Sequence, residues 1–196
     1  TPLATKEGVS RGKIAELAAK RGMESKGFTL VEPKQSLAVN GVKRGKGFER
    51  YDFGIEQPDG SELRDEVKNA RMTYVLSQQK WSLQFTNVKT DEFDELILCF
   101  EGFDGLRLYK WGGKNLTTNG KRQEASGRGI VVRSSRHQPD AKRAHAQLVA
   151  KMGEAGNVLL AFVPYHDHNF ADIWTITTKT ENDYAGVPRG ERSQCA

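Results

Sequence analysis

A short turn, Pro58-Asp59-Gly60, divides the stretch YDFGIEQPDGSELRDEVKNARM between Tyr51 and Met72 into two runs of strand-like residues, and it constrains this chain more than any other feature. Proline presets one backbone angle and glycine supplies another that other residues resist, so the trio reads as the loop of a three-residue hairpin. With that loop closed, Gln57 faces Ser61, and counting outward sets Asp52 opposite Glu66, with Lys68 two residues on. Side chains on a strand alternate faces with period 2, so Asp52, Glu66 and Lys68 project from one side of the ladder. Directly opposed Cβ atoms lie about 4.5–5.5 Å apart. Two carboxylates that close repel each other unless a proton or a cation is shared, and oxygen ligands of this kind suit Mg²⁺ or Mn²⁺. An ammonium beside them can hold or deprotonate a water, or stabilise an oxyanion. A surface hairpin bearing ordinary charges contains the same residue types; the register is what sets these three apart.

The same residues carry a resemblance. Asp52, followed after thirteen residues by Glu66-Val67-Lys68, resembles the metal-binding Asp and E-x-K of the PD-(D/E)XK, or restriction-endonuclease-like, nuclease superfamily. Upstream, the segment from Ser10 to Ala19 resembles that family's opening helix, with Glu16 in the place of its Glu. Downstream, Asn69-Ala70-Arg71, then Trp81 to Phe85 with Gln84, then Asp94 to Phe100 resemble a pattern of restriction enzymes: a small and a basic residue after E-x-K, an aromatic-Gln element, and an acid-led apolar strand. The likeness covers about residues 10–111 and departs where Arg50-Tyr51 stand in place of a frequent Pro.

The resemblance implies an α/β restriction-endonuclease-like core, a central mixed sheet flanked by helices. It implies a Mg²⁺-dependent endonuclease for double-stranded DNA, with Mn²⁺ as a substitute and a homodimer as the working form. Asp52 and Glu66 are then expected to hold the metal, Glu16 to join them or orient a water, Lys68 to act on the attacking water, and Gln84 to reach the cleft. A restriction-type role is the nearest; a homing or repair nuclease, or a nucleic-acid-binding module without chemistry, are the alternatives.

Charge agrees with a polyanionic partner without demanding one. Thirty basic against 25 acidic residues give a net charge of +5. The basic residues gather in three clusters: Lys34, Lys43, Arg44 and Lys46; Lys114, Lys121, Arg122 and Arg128; and Arg133, Arg136, His137, Lys142 and Arg143. A groove flanking an acidic centre needs such charge to draw in phosphates, although each residue alone is equally a solvated surface charge. The 196 residues suit one domain, expected over 1–180 with a mobile polar tail over 181–196. The sequence has no apolar run of membrane-spanning length and no signal-peptide pattern, so an intracellular protein of bacterial or phage type, without a membrane partner, is expected. Two cysteines, Cys99 and Cys195, do not suggest a disulfide framework.

Periodicity predicts a helix from Ser10 to Lys26 stopped by Gly27, and a short strand at Phe28–Val31. Strands are also expected over Trp81–Val88, Glu95–Phe100, Leu106–Trp111, Ile130–Val132 and Ile173–Thr178, with a buried one at Val158–Val163. A second helix from Asp140 as cap to Met152 ends at Gly153, and residues 112–129 are expected to be an irregular loop. His166-Asp167-His168 is a weaker candidate for zinc, and Cys99 lies in an apolar run where nothing activates it.

Overall fold

The computed structural model describes residues 3–33, 51–117 and 128–165. Helix α1 spans Leu3–Glu24 and so begins well before Ser10. Its stripe of Ile14, Ala15, Ala18, Ala19 and Met23 recurs at three- and four-residue spacing and is buried. Gly27, at φ +86°, closes it, its N–H donating to the Glu24 carbonyl at 2.9 Å.

Among the described residues ten strands follow: β1 (Leu30–Val31), β2 (Phe53–Glu56), β3 (Glu62–Arg71), β4 (Thr73–Val75), β5 (Lys80–Val88), β6 (Glu95–Glu101), β7 (Gly105–Lys110), β8 (Leu116–Thr117), β9 (Arg128–Arg133) and β10 (Val158–Pro164). The 3₁₀ turn Leu76–Gln78 joins β4 to β5, and helix α2, Ala141–Glu154, lies between β9 and β10. The strands form two sheets, one of six in the order β1-β2-β3-β6-β7-β10 and one of four in the order β4-β5-β9-β8. The first is mixed, because β3 pairs with β6 in parallel while its other neighbours are antiparallel.

The six-stranded sheet is covered on both faces. On one, α1 packs against Phe53, Ile55, Val67, Ile97, Cys99 and Leu108. On the other, Ala70, Leu96, Leu98, Phe100 and Tyr109 meet Leu83 and Phe85 of the second sheet and Leu148 and Met152 of α2. Double coverage explains why β6 reads as an unbroken apolar run. The expected α/β class with a mixed sheet is therefore present.

Three expectations need correction. Among the described residues the strand at β10 ends the six-stranded sheet, with Val158 60 %, Leu159 51 % and Phe162 42 % exposed and only Val163 buried. Apolar content alone does not reveal which strand ends a sheet. Within 112–129, Leu116–Thr117 pairs with β9, and Arg128 and Gly129 already belong to that strand, so the segment is not wholly irregular. Helix α2 runs through Gly153 to Glu154; the left-handed turn falls at Gly156, φ +80°. Its start is as expected: the Asp140 carboxylate accepts from the N–H groups of Lys142 and Arg143 at 2.8 and 3.2 Å. Among the described residues no helix is long and apolar enough to cross a membrane. Lys34, Lys43, Arg44, Lys46, Lys121, Arg122, His166-Asp167-His168, the strand expected at 173–178 and the tail from 181 lie outside the described residues.

Candidate acid and metal site

The hairpin closes as the turn dictates. Gln57 N–H donates to the Ser61 carbonyl at 2.9 Å, Gly60 takes φ +79°, and Phe53 pairs with Asp65, Gly54 with Arg64, Ile55 with Leu63 and Glu56 with Glu62. One step further along this register stand Asp52 and Glu66. Asp52 lies just outside β2, and its N–H still reaches the Asp65 carbonyl at 2.9 Å.

The Asp52 side chain turns onto the neighbouring backbone, with Oδ2 accepting from Val67 N–H at 2.7 Å. Burial pushes its carboxyl above the usual range; the Val67 hydrogen bond opposes this, the Glu16 charge reinforces it, and Lys68 and Lys20 work against it. Glu66 is pushed up to about 7, first by burial and then by the charge of Asp52, against its bond to Lys68. The Lys68 ammonium is paired with Glu66 Oε1. Asp52, Glu66 and Lys68 thus act on one another electrostatically in a half-buried position. Each carboxylate there costs more in its charged form than in water, and a cation would lower that cost. The donor set, two carboxylates with a neighbouring ammonium, fits a hard divalent ion in chemistry. Among the described residues no group of three or more His, Cys, Asp or Glu side chains is arranged to hold a metal ion.

Glu16 reaches the site through its charge. It is held by two ammonium groups: Lys13 donates to both oxygens at 2.9 Å, and Lys20 lies 3.1 Å from Oε1 while also meeting Glu32 at 3.0 Å. Lys20 and Glu32 were not singled out in the sequence. The signal was available, since a Lys four residues after a Glu on a helix is its natural partner. Gln84 is exposed on the face of β5 opposite Leu83 and Phe85, which pack into the core, and pairs across the sheet with Val131. Arg133, Arg136 and Lys142 are exposed, as are Lys114, Arg128, His137 and Arg143. Cys99 is fully buried and its thiol is raised well above the ordinary range by burial.

Asp65 was not anticipated. It faces the other side of β3, is 0 % exposed, and neither carboxylate oxygen has a hydrogen-bond partner. Its register partner on β6 is Glu95, which is ion-paired with Lys110. Burial pushes Asp65 up to about 7, with Glu95 adding to the shift and Lys110 opposing it. Comparison with known proteins returns no matching family model, no matching curated protein and no matching solved structure.

Proposed function

We propose that the chain is a Mg²⁺-dependent DNA endonuclease with a restriction-endonuclease-like core, in which Asp52 and Glu66 hold the metal and Lys68 serves the attacking water. The observation that carries this reading is the hairpin register, which sets Asp52 and Glu66 against each other with Lys68 paired to Glu66, in a position where burial raises both carboxyls. A bound Mg²⁺ would supply Lewis-acid polarisation of the scissile phosphate and a more acidic water.

The chain's own groups do the rest. The Lys68 ammonium orients the water, or in its neutral form takes its proton, and stabilises charge developing on the phosphorus oxygens. Val67 N–H fixes one oxygen of Asp52, so the other is presented in a defined direction. Glu16, clamped by Lys13 and Lys20, adds negative potential at Asp52. Exposed Arg133, Arg136 and Lys142 add positive charge at the surface, which suits a double-stranded DNA substrate. The reading extends to site-specific cleavage by a homodimer, the arrangement that lets two identical centres cut both strands of a palindrome.

The test is nicking of supercoiled plasmid with Mg²⁺, with Mn²⁺ and with chelator. Metal-dependent nicking that Asp52→Ala and Glu66→Ala abolish is the expected result. Duplex binding without cleavage in any divalent ion would replace the enzyme with a nucleic-acid-binding module.

A further inference from the structure

Two non-glycine residues hold the left-handed backbone conformation in neighbouring turns beside the second sheet. Gln79, at φ 52°, ends the 3₁₀ turn before β5, and His137, at φ 56°, lies between β9 and α2. Such a conformation costs on the order of 1–2 kcal/mol per residue, and glycine would avoid the cost. The two turns are fastened to each other. His137 N–H donates to the Gln79 carbonyl at 2.8 Å, and Arg133 Nε donates to Gln78 Oε1 at 2.8 Å. Trp81 N–H donates to Ser134 Oγ at 2.9 Å, Ser134 N–H returns to the Trp81 carbonyl at 2.8 Å, and Trp81 Nε1 donates to the Gln138 carbonyl at 2.9 Å. Trp81 itself is in the core, so the pair of turns stands on a rigid base.

This tip carries cations and amide groups. Within residues 76–80 and 133–143, Lys80, Arg133, Arg136, Lys142 and Arg143 oppose the single carboxylate of Asp140, which is engaged in capping α2. The Arg136 and His137 side chains are exposed.

We infer that this tip is a base-reading surface for duplex DNA, with Gln79, Arg136 and His137 as the specificity-determining residues. Carboxamide, guanidinium and imidazole supply the paired donors and acceptors that distinguish base edges in the major groove. Lys142 and Arg143, on the first turn of α2, meet the flanking phosphates. Strain is retained at Gln79 and His137 because glycine there would leave the turns intact and the side chains missing.

The tip also fixes a span, which rests on the nuclease reading. Gln79 follows Glu66 by thirteen residues. At about 3.3 Å per extended residue its backbone lies within about 43 Å of the acid pair. That is a little over one turn of B-DNA, roughly thirteen base pairs. The bases read there therefore lie no more than about thirteen base pairs from the cut.

The experiment selects a randomised duplex pool on the full chain in chelator, so that nothing is cut, and sequences the bound fraction. Wild type is expected to enrich a short motif. Arg136→Ala should relax one position of it by about tenfold. The double variant Gln79→Gly with His137→Gly should keep or raise the melting temperature while losing about tenfold or more of the enrichment. Enrichment of no motif by wild type, the same motif from the variants, or enrichment confined to an RNA pool overturns the inference. If the glycine pair lowers the melting temperature, Arg136→Ala still decides. Cleavage is scored separately on motif-bearing duplex with Mg²⁺, and cuts beyond about thirteen base pairs refute the span. A chain that reads a motif and never cuts keeps this inference and loses the nuclease; one that cuts with no motif does the reverse.

Discussion

Asp65 and Glu66 are neighbours on β3, and burial pushes each to about 7, yet they face different surroundings. Glu66 shares its face with Lys68, to which it is paired, and its side chain keeps 14 % of its surface in solvent. Asp65, on the α1 side of the sheet, has no exposure and no hydrogen-bond partner, and the charges that act on it are Glu95, Asp94 and a lysine already engaged by Glu95. A raised carboxyl alone therefore does not mark a site. What separates the two is whether a counter-charge and solvent reach the oxygens: Glu66 is paired with Lys68 and partly exposed, whereas the charged form of Asp65 is enclosed without a partner.

The largest effect tests the chemistry of the two faces. Glu66→Gln and Asp52→Ala should each lower Mg²⁺-dependent nicking by at least about 10²-fold, while Asp65→Leu stays within about threefold of wild type. Equal loss from Asp65→Leu would erase the distinction. Next in size, Lys68→Ala should slow single-turnover cleavage by about 10²-fold with little change in duplex affinity. A shift confined to affinity would make Lys68 a phosphate contact.

Stability against pH separates the faces in another way. Both folded carboxyls titrate above their unfolded values, so the folded chain binds more protons than the unfolded chain across the interval. Stability is then fullest below about pH 4 for these groups and is lost as pH rises through about 7. Glu66→Gln and Asp65→Leu should each raise the melting temperature at pH 8 by several degrees, and each should flatten part of the slope. Millimolar Mg²⁺ should then raise the melting temperature of wild type and Asp65→Leu but not of Glu66→Gln, and do so less below pH 7, where protons compete for the ligand. Thermal scans over pH with and without Mg²⁺ measure all of this.

The smallest effect is a control on the same strand. Arg64 forms a bidentate pair with Asp94, each side chain 37 % exposed. Arg64→Ala should cost less than about 1 kcal/mol in urea unfolding and leave cleavage unchanged.

How much of this was legible depended on whether the signal was local. Pro58-Asp59-Gly60 sets its register within a few residues, so the opposition of Asp52 and Glu66 could be counted from the sequence, as could the Asp140 cap. The departure of the chain from the first sheet at Met72 carries no such mark, and neither does the place of β10 at the end of the described sheet, because both depend on partners far along the chain. Asp65 was missed for a related reason. Period 2 tells which residues share a face but not how deep each face lies, and its burial depends on elements that come together only in the folded sheet.

That local hairpin has a kinetic consequence. A hairpin such as β2–β3 closes in about 1–10 μs, whereas pairings such as Ser82 with Arg133 must wait for a long stretch of chain to come round. The hairpin is therefore expected to bring Asp52 and Glu66 together early, with the cost of their burial following when the rest of the chain packs around them. A charge cost incurred after the folding barrier acts on the return journey. Raising the pH from 5 to 8 is therefore expected to leave the refolding rate nearly flat and to speed unfolding, with Glu66 and Asp65 both contributing, and stopped-flow refolding and unfolding over that range measure it.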